Sequence, residues 1–148
     1  MAPGFTVWIH VARPPAAVFE AVADPAQLSR YFTTGGATGR LESDATAQWD
    51  FHDFPGAFPV RVLEAKMPDR IRLAWFRSDG SGENEVDFTF EAVDDGARTK
   101  VSVSESGWAD DAAGRKASYD NCMGWSQMLM ALKAWAEHAI NLREGAYK

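Results

Sequence analysis

A carboxylate at position 105 sits where strand alternation calls for an apolar side chain. Val101, Val103 and Glu105 recur with period two on one face of the last strand-like segment. A carboxylate on such a face is costly unless it is ion-paired, hydrogen-bonded or wetted by a cavity. It is either a group that orients a ligand or accepts a proton, or a strand-end Glu that reaches solvent or an arginine. Glu64 poses a similar question. In one register it shares a face with Val60 and Val62, while in the other Leu63 and Ala65 form a nearly equal apolar face.

Nucleophilic chemistry needs a nucleophile beside a base. His10, His52 and His138 lie far apart in the chain and suggest no triad, so they are expected on the surface. No catalytic residue is assigned. Cys122 is the only cysteine, which excludes an internal disulfide; it is either a reactive thiol or a small buried hydrophobe. There is no Cys-x-x-Cys, no His-Glu-x-x-His and no acidic loop with calcium spacing. Gly35, Gly36 and Gly39 lack the spacing of a dinucleotide fingerprint. No metal and no cofactor is therefore expected.

The aromatic residues carry the larger candidate. Trp49, Phe51, Trp75, Phe88 and Phe90 fall on inward strand faces, and Trp125, Met128 and Leu132 fall on the helix face opposite them. With Glu105, these form the candidate ligand-binding set. Leu28, Tyr31 and Phe32 are the candidate border of its entrance. Such side chains either leave an apolar pocket or fill the interior solidly.

Those residues need elements to position them. Phe5, Val7, Ile9 and Val11 alternate, which predicts a strand over 5–11. Pro14-Pro15 and the spacing of Val18, Phe19 and Val22 predict a helix over 15–23. Asp24-Pro25 opens a second short helix, with Gln27 completing a capping-box pattern and Leu28, Tyr31 and Phe32 on its apolar face. Strands follow over 46–52, 60–66, 71–76, 86–91 and 101–105. Phe54-Pro55-Gly56 is expected to break the chain, and Asp95-Gly96 to form a hairpin turn. Trp125, Met128, Leu129, Leu132, Trp135 and Ala136 then recur at three and four residues, which predicts one long helix over 115–143 stopped near Gly145. The class is α+β: an antiparallel sheet of about six or seven strands covered by one long C-terminal helix.

The length, 148 residues, suits one domain over 1–148. Hydrophobic residues make up 46% of the chain, which argues against general disorder. Fifteen Lys plus Arg face 21 Asp plus Glu, and the net charge of −6 disfavours non-specific nucleic-acid binding. No window offers the roughly 20 apolar residues of a membrane span, and the N-terminus lacks a secretory pattern. A cytoplasmic protein is expected.

The element order, together with three clusters, resembles the helix-grip superfamily of START and birch-pollen-allergen-like domains. The first cluster runs Val11-Ala12-Arg13-Pro14-Pro15 through Asp24-Pro25. The second is Pro68-Asp69-Arg70-Ile71-Arg72-Leu73-Ala74-Trp75. The third is Gly124-Trp125 with Leu129 and Leu132. The nearer likeness is to bacterial proteins similar to the heat-shock-protein-90 ATPase activator. That resemblance implies a curved antiparallel sheet gripping the last helix, with a cavity between them and two short helices after the first strand. The fold hosts lipid carriers, hormone receptors, polyketide cyclases and chaperone activators, so it does not choose a function by itself. Family members often carry a His where this chain has Glu105, before Ser106-Gly107-Trp108, so any role of that His does not transfer.

The expected function is binding of a small hydrophobic or aromatic molecule, oriented by Glu105 or an indole N–H. One alternative is a cyclase- or hydratase-like enzyme using a cavity acid. The other is a chaperone-associated interaction module, tied to stress response, that presents Trp8 and Phe76 to a protein partner. Monomer and homodimer both remain open.

Overall fold

The computed structural model describes residues 1–147. The period-two runs form strands β1 (Gly4–Val11), β2 (Gly36–Thr38), β3 (Thr46–Phe51), β4 (Phe54–Lys66), β5 (Arg70–Phe76), β6 (Glu83–Val93) and β7 (Arg98–Ser106). The helices are α1 (Pro15–Ala23), α2 (Pro25–Tyr31) and α3 (Ala112–His138). All strand pairs are antiparallel, in the order β1-β7-β6-β5-β4-β3-β2. One core joins the inward residues of the sheet to Val18, Phe19 and Val22 of α1 and to Trp125, Met128, Leu129 and Leu132 of α3. This is the helix-grip arrangement. Among the described residues, no helix is long and apolar enough to cross a membrane.

Three local expectations change. Phe54-Pro55-Gly56 does not break the chain; it opens β4, and Phe51 pairs with Phe54. The β3–β4 register shifts between Trp49 and Phe51, and Gly56 adopts a φ of 107°. The pair Pro55-Gly56 is thus absorbed as a bulge near the hairpin end. The long helix runs Ala112–His138 rather than 115–143. Asp111 starts it by accepting from Gly114 N–H at 2.7 Å, and Ala139 ends it in the left-handed region, with Gly145 lying beyond. Asp24 caps α2 through Ala26 N–H at 2.9 Å, but the capping box is incomplete. The Gln27 Oε1 instead accepts from the Trp135 indole N–H at 3.2 Å.

Polar ties hold the C-terminal half of α3 against β1. Lys133 Nζ donates to the His10 carbonyl at 2.9 Å, and the Glu137 carboxylate accepts from Ala12 N–H at 2.8 Å. The N-terminal half of α3 is tied to β7 through Glu105.

Candidate functional site

Position 105 lies on β7 between Phe5 of β1 and Val86 of β6. The Glu105 side chain is only 2% exposed. Oε1 accepts from the Trp125 indole N–H at 2.8 Å and from Asn121 Nδ2 at 3.1 Å. Oε2 accepts from the Trp75 indole N–H at 3.0 Å, from Asn84 Nδ2 at 2.9 Å and from Asn121 Nδ2 at 3.1 Å. A carboxylate offers about four lone-pair positions, so protein donors occupy them all. All four partner side chains are neutral donors, which suits an acceptor-only carboxylate.

A cation stands one residue further out. Arg77 Nη1 donates to Asn84 Oδ1 at 3.0 Å, so Asn84 connects the guanidinium to the Glu105 carboxylate. Arg77 is itself fixed by Ser81, by the Glu83 carbonyl and by the Gly107 carbonyl. Gly107 is needed at this junction. Its φ is 131°, and a Cβ there would stand 2.4 Å from Asn84 Oδ1.

Beside this network lies a cavity of about 420 Å³. It sits between the β3–β4 hairpin, the end of β5, the first half of α3 and the segment after α3. Its size falls within the roughly 300–1,000 Å³ of small-molecule pockets. Five lining rings form an unbroken circuit. Their centroid separations are 5.0 Å for Phe32–Phe51, 5.9 Å for Phe51–Phe58, 6.0 Å for Phe58–Trp75, 5.3 Å for Trp75–Trp125 and 5.5 Å for Trp125–Phe32. These spacings are those of favourable offset and edge contacts. Phe54, Phe76 and Arg143 border the same space.

Of the candidate ligand-binding set, Phe51, Trp75, Glu105 and Trp125 line this cavity. Trp49 does not line it, and its buried ring touches Phe32 at 5.5 Å and Trp75 at 6.0 Å. Phe88, Phe90, Met128 and Leu132 are buried in the packed core. Of the three entrance candidates, Phe32 lines the cavity, whereas Leu28 and Tyr31 are buried in the core. Tyr31 donates its hydroxyl to the Ala21 carbonyl at 2.8 Å, and burial pushes its ionisation well above the usual phenol value.

Other candidate groups lie elsewhere. A bulge between Val62 and Glu64 lets Val62 and Ala65 both face the core, while Glu64 pairs with Arg72 and is half-buried. His10 packs on Trp8 at 5.3 Å, and His52 and His138 do not line the cavity. Cys122 is a half-buried free thiol within α3. Among the described residues, no His, Cys, Asp and Glu cluster could hold a metal ion.

Asn84, Asn121, Phe58 and Arg143 also line the cavity, and sequence reasoning passed over them. Asn84 continues the inward series Val86, Phe88, Phe90, and Phe58 continues the series Val60, Val62. Asn121 precedes Trp125 by four residues, one helical turn on the same face. Those signals were available. Arg143 had none, because it follows the helix in a segment without periodicity.

Residues 12–137 match the family described as activator of Hsp90 ATPase homolog 1-like protein. Among solved structures, protein SSP2350 from Staphylococcus saprophyticus is similar at a TM-score of 0.79 and 22% identity, over 95% of this chain and 96% of that one. The Aha1 dimer from Colwellia psychrerythraea is similar at 0.72 and 17%, over 92% and 97%. DynU16, a protein of the dynemicin biosynthetic locus, is similar at 0.76 and 23%, over 92% of this chain and 48% of that one. At these identities the likeness is one of fold. No curated protein matches the chain.

Proposed function

The chain belongs to the activator of Hsp90 ATPase homolog 1-like family, and we propose that it uses the cavity beside α3 to bind a small hydrophobic or aromatic ligand. The observation that carries this reading is that five mutually packed rings line a cavity of about 420 Å³. Each 100 Å² of apolar ligand surface buried there contributes about 2.5 kcal/mol before the costs of binding.

Glu105 has a specific part in this reading. Its acceptor positions are already filled, so it holds Trp75 and Trp125 at fixed angles and leaves ligand contact to their faces. A cyclase- or hydratase-like step would need Glu105 to accept a substrate proton, and its occupied lone pairs weigh against that. Chaperone association and stress response would run through the outer surface, where Trp8 is 56% exposed. The cavity reading is preferred because it accounts for five lining rings and a buried polar network together.

Titration of the ¹⁵N-labelled chain with naphthalene, followed by indole N–H signals, tests the reading. The Trp75 and Trp125 signals are expected to shift saturably while that of Trp8 stays still. Uniform silence of all six indoles would refute ligand binding in this cavity.

A further inference from the structure

The charged groups bordering the cavity are not equally satisfied. Glu105 accepts from four side chains, and Arg77 donates to Ser81, Glu83, Asn84 and Gly107. Asp120 is exposed and bonds Lys116 at 3.2 Å. Arg143 differs. Its side chain is 6% exposed, yet its only charged contact among the described residues is Nη2 to the two Asp53 oxygens, both at 3.4 Å. Charge-assisted pairs ordinarily close to about 2.7–2.9 Å. Arg143 Nε is buried with no hydrogen-bond partner among the described residues. A buried guanidinium left short of acceptors is costly, and such a group points to an absent ion or ligand.

The guanidinium is also placed where a ligand would need it. It lies over Tyr147 at 4.7 Å, and over Phe32 at 5.6 Å and Phe51 at 5.8 Å, the last two members of the ring circuit. An acceptor on Arg143 would therefore sit at one end of the aromatic lining. From this juxtaposition we infer that the ligand is an aromatic acid. Its carboxylate pairs with Arg143, and its ring system lies against Phe32, Phe51, Phe58, Trp75 and Trp125. This rests on the cavity reading above and adds the ligand's charge. Asp53 is the internal competitor, a weakly engaged carboxylate that the ligand's own carboxylate replaces.

Calorimetric titration of the full chain with 2-naphthoate, 2-methylnaphthalene and 2-naphthylmethylammonium tests the assignment. The wild-type chain is expected to hold naphthoate about tenfold more tightly than either other probe. Arg143→Met should erase that preference, so that naphthoate and 2-methylnaphthalene bind with similar affinity. Asp53→Asn removes the competing carboxylate and should tighten naphthoate several-fold. Decanoate, with the same charge on a flexible chain, should bind more weakly than naphthoate. Equal or tighter binding of the ammonium, or a naphthoate preference that survives Arg143→Met, overturns the inference and leaves the cavity reading standing. Tighter binding of decanoate overturns the aromatic part. No binding of any probe overturns the cavity reading and this inference with it. The wild-type ranking decides the matter even if Arg143→Met fails to fold.

Discussion

The indole N–H of Trp125 on α3 donates to Glu105 Oε1 on β7 at 2.8 Å. This bond crosses from helix to sheet inside the interior. Trp75 reaches the other carboxylate oxygen from β5 at 3.0 Å. One buried acceptor thus sets the angle between two indoles that wall the cavity, and their centroids lie 5.3 Å apart. Helix position and pocket shape are coupled through one side chain.

Glu105→Gln tests that coupling. The substitution exchanges one acceptor oxygen for an NH₂ group that faces donors already pointing at it. It is expected to destabilise the fold by about 2–4 kcal/mol, because buried N–H groups lose their acceptor. Urea unfolding measures the loss. A change below about 0.5 kcal/mol, the scale of an ordinary surface substitution, would contradict the role given to Glu105.

Gly124 borders the cavity, and beyond its own chain neighbours and helix backbone no heavy atom lies within 4 Å of the position its Cβ would take. Gly124→Ala should stabilise α3 by about 0.5–1 kcal/mol through helix propensity alone. Gly124→Leu should keep the fold and weaken naphthoate binding by filling the space. Thermal denaturation beside calorimetry separates the two effects. Unchanged binding in Gly124→Leu would place the ligand elsewhere.

Core and cavity rings should respond differently to truncation. Phe88 is fully buried and packs edge-on against Trp125 at 5.4 Å. Phe88→Ala is expected to cost about 3–5 kcal/mol. Phe58 borders empty space, so Phe58→Ala should cost less than Phe88→Ala and reduce ligand affinity instead. Equal losses of stability in the two variants would argue for a filled interior.

The Glu20–Arg40 pair makes stability depend on acid. A side-chain hydrogen bond from Arg40, at 2.8 Å, holds the Glu20 carboxyl below its usual 4.5. A depressed folded-state value means the contribution is fully present above pH 4.5 and fades as pH falls through the lower folded value. Glu20→Gln should therefore destabilise at neutral pH and converge with wild type in acid. Parallel pH–stability curves for the two chains would remove Glu20 from the acid response.

Much of this fold can be read along the chain. Phe5, Val7 and Ile9, or Val86, Phe88 and Phe90, expose a sheet face by period alone, and Val101 and Val103 already turn Glu105 inward. Other features escape a period-two reading for physical reasons. A bulge after Val62 resets the strand, so neither register drawn for Glu64 holds throughout β4. Phe51 and Phe88 look identical in pattern, yet Phe51 borders the cavity and Phe88 is packed solid. That difference depends on how closely α3 covers each ring, a tertiary distance that no spacing encodes. Asn84 and Asn121 serve as donors only because a carboxylate was buried between them. Arg143 arrives after the helix ends at Ala139, on a path fixed by contacts with Phe32, Phe51 and Asp53 rather than by local propensity.

A crystal structure of the protein grown with 2-naphthoate tests the central claim most directly. Density for the two fused rings is expected in the cavity against Phe32, Phe51, Phe58, Trp75 and Trp125, with Glu105 still bonded to both indoles. Naphthoate bound away from these five rings, or either indole released from Glu105, would contradict the account.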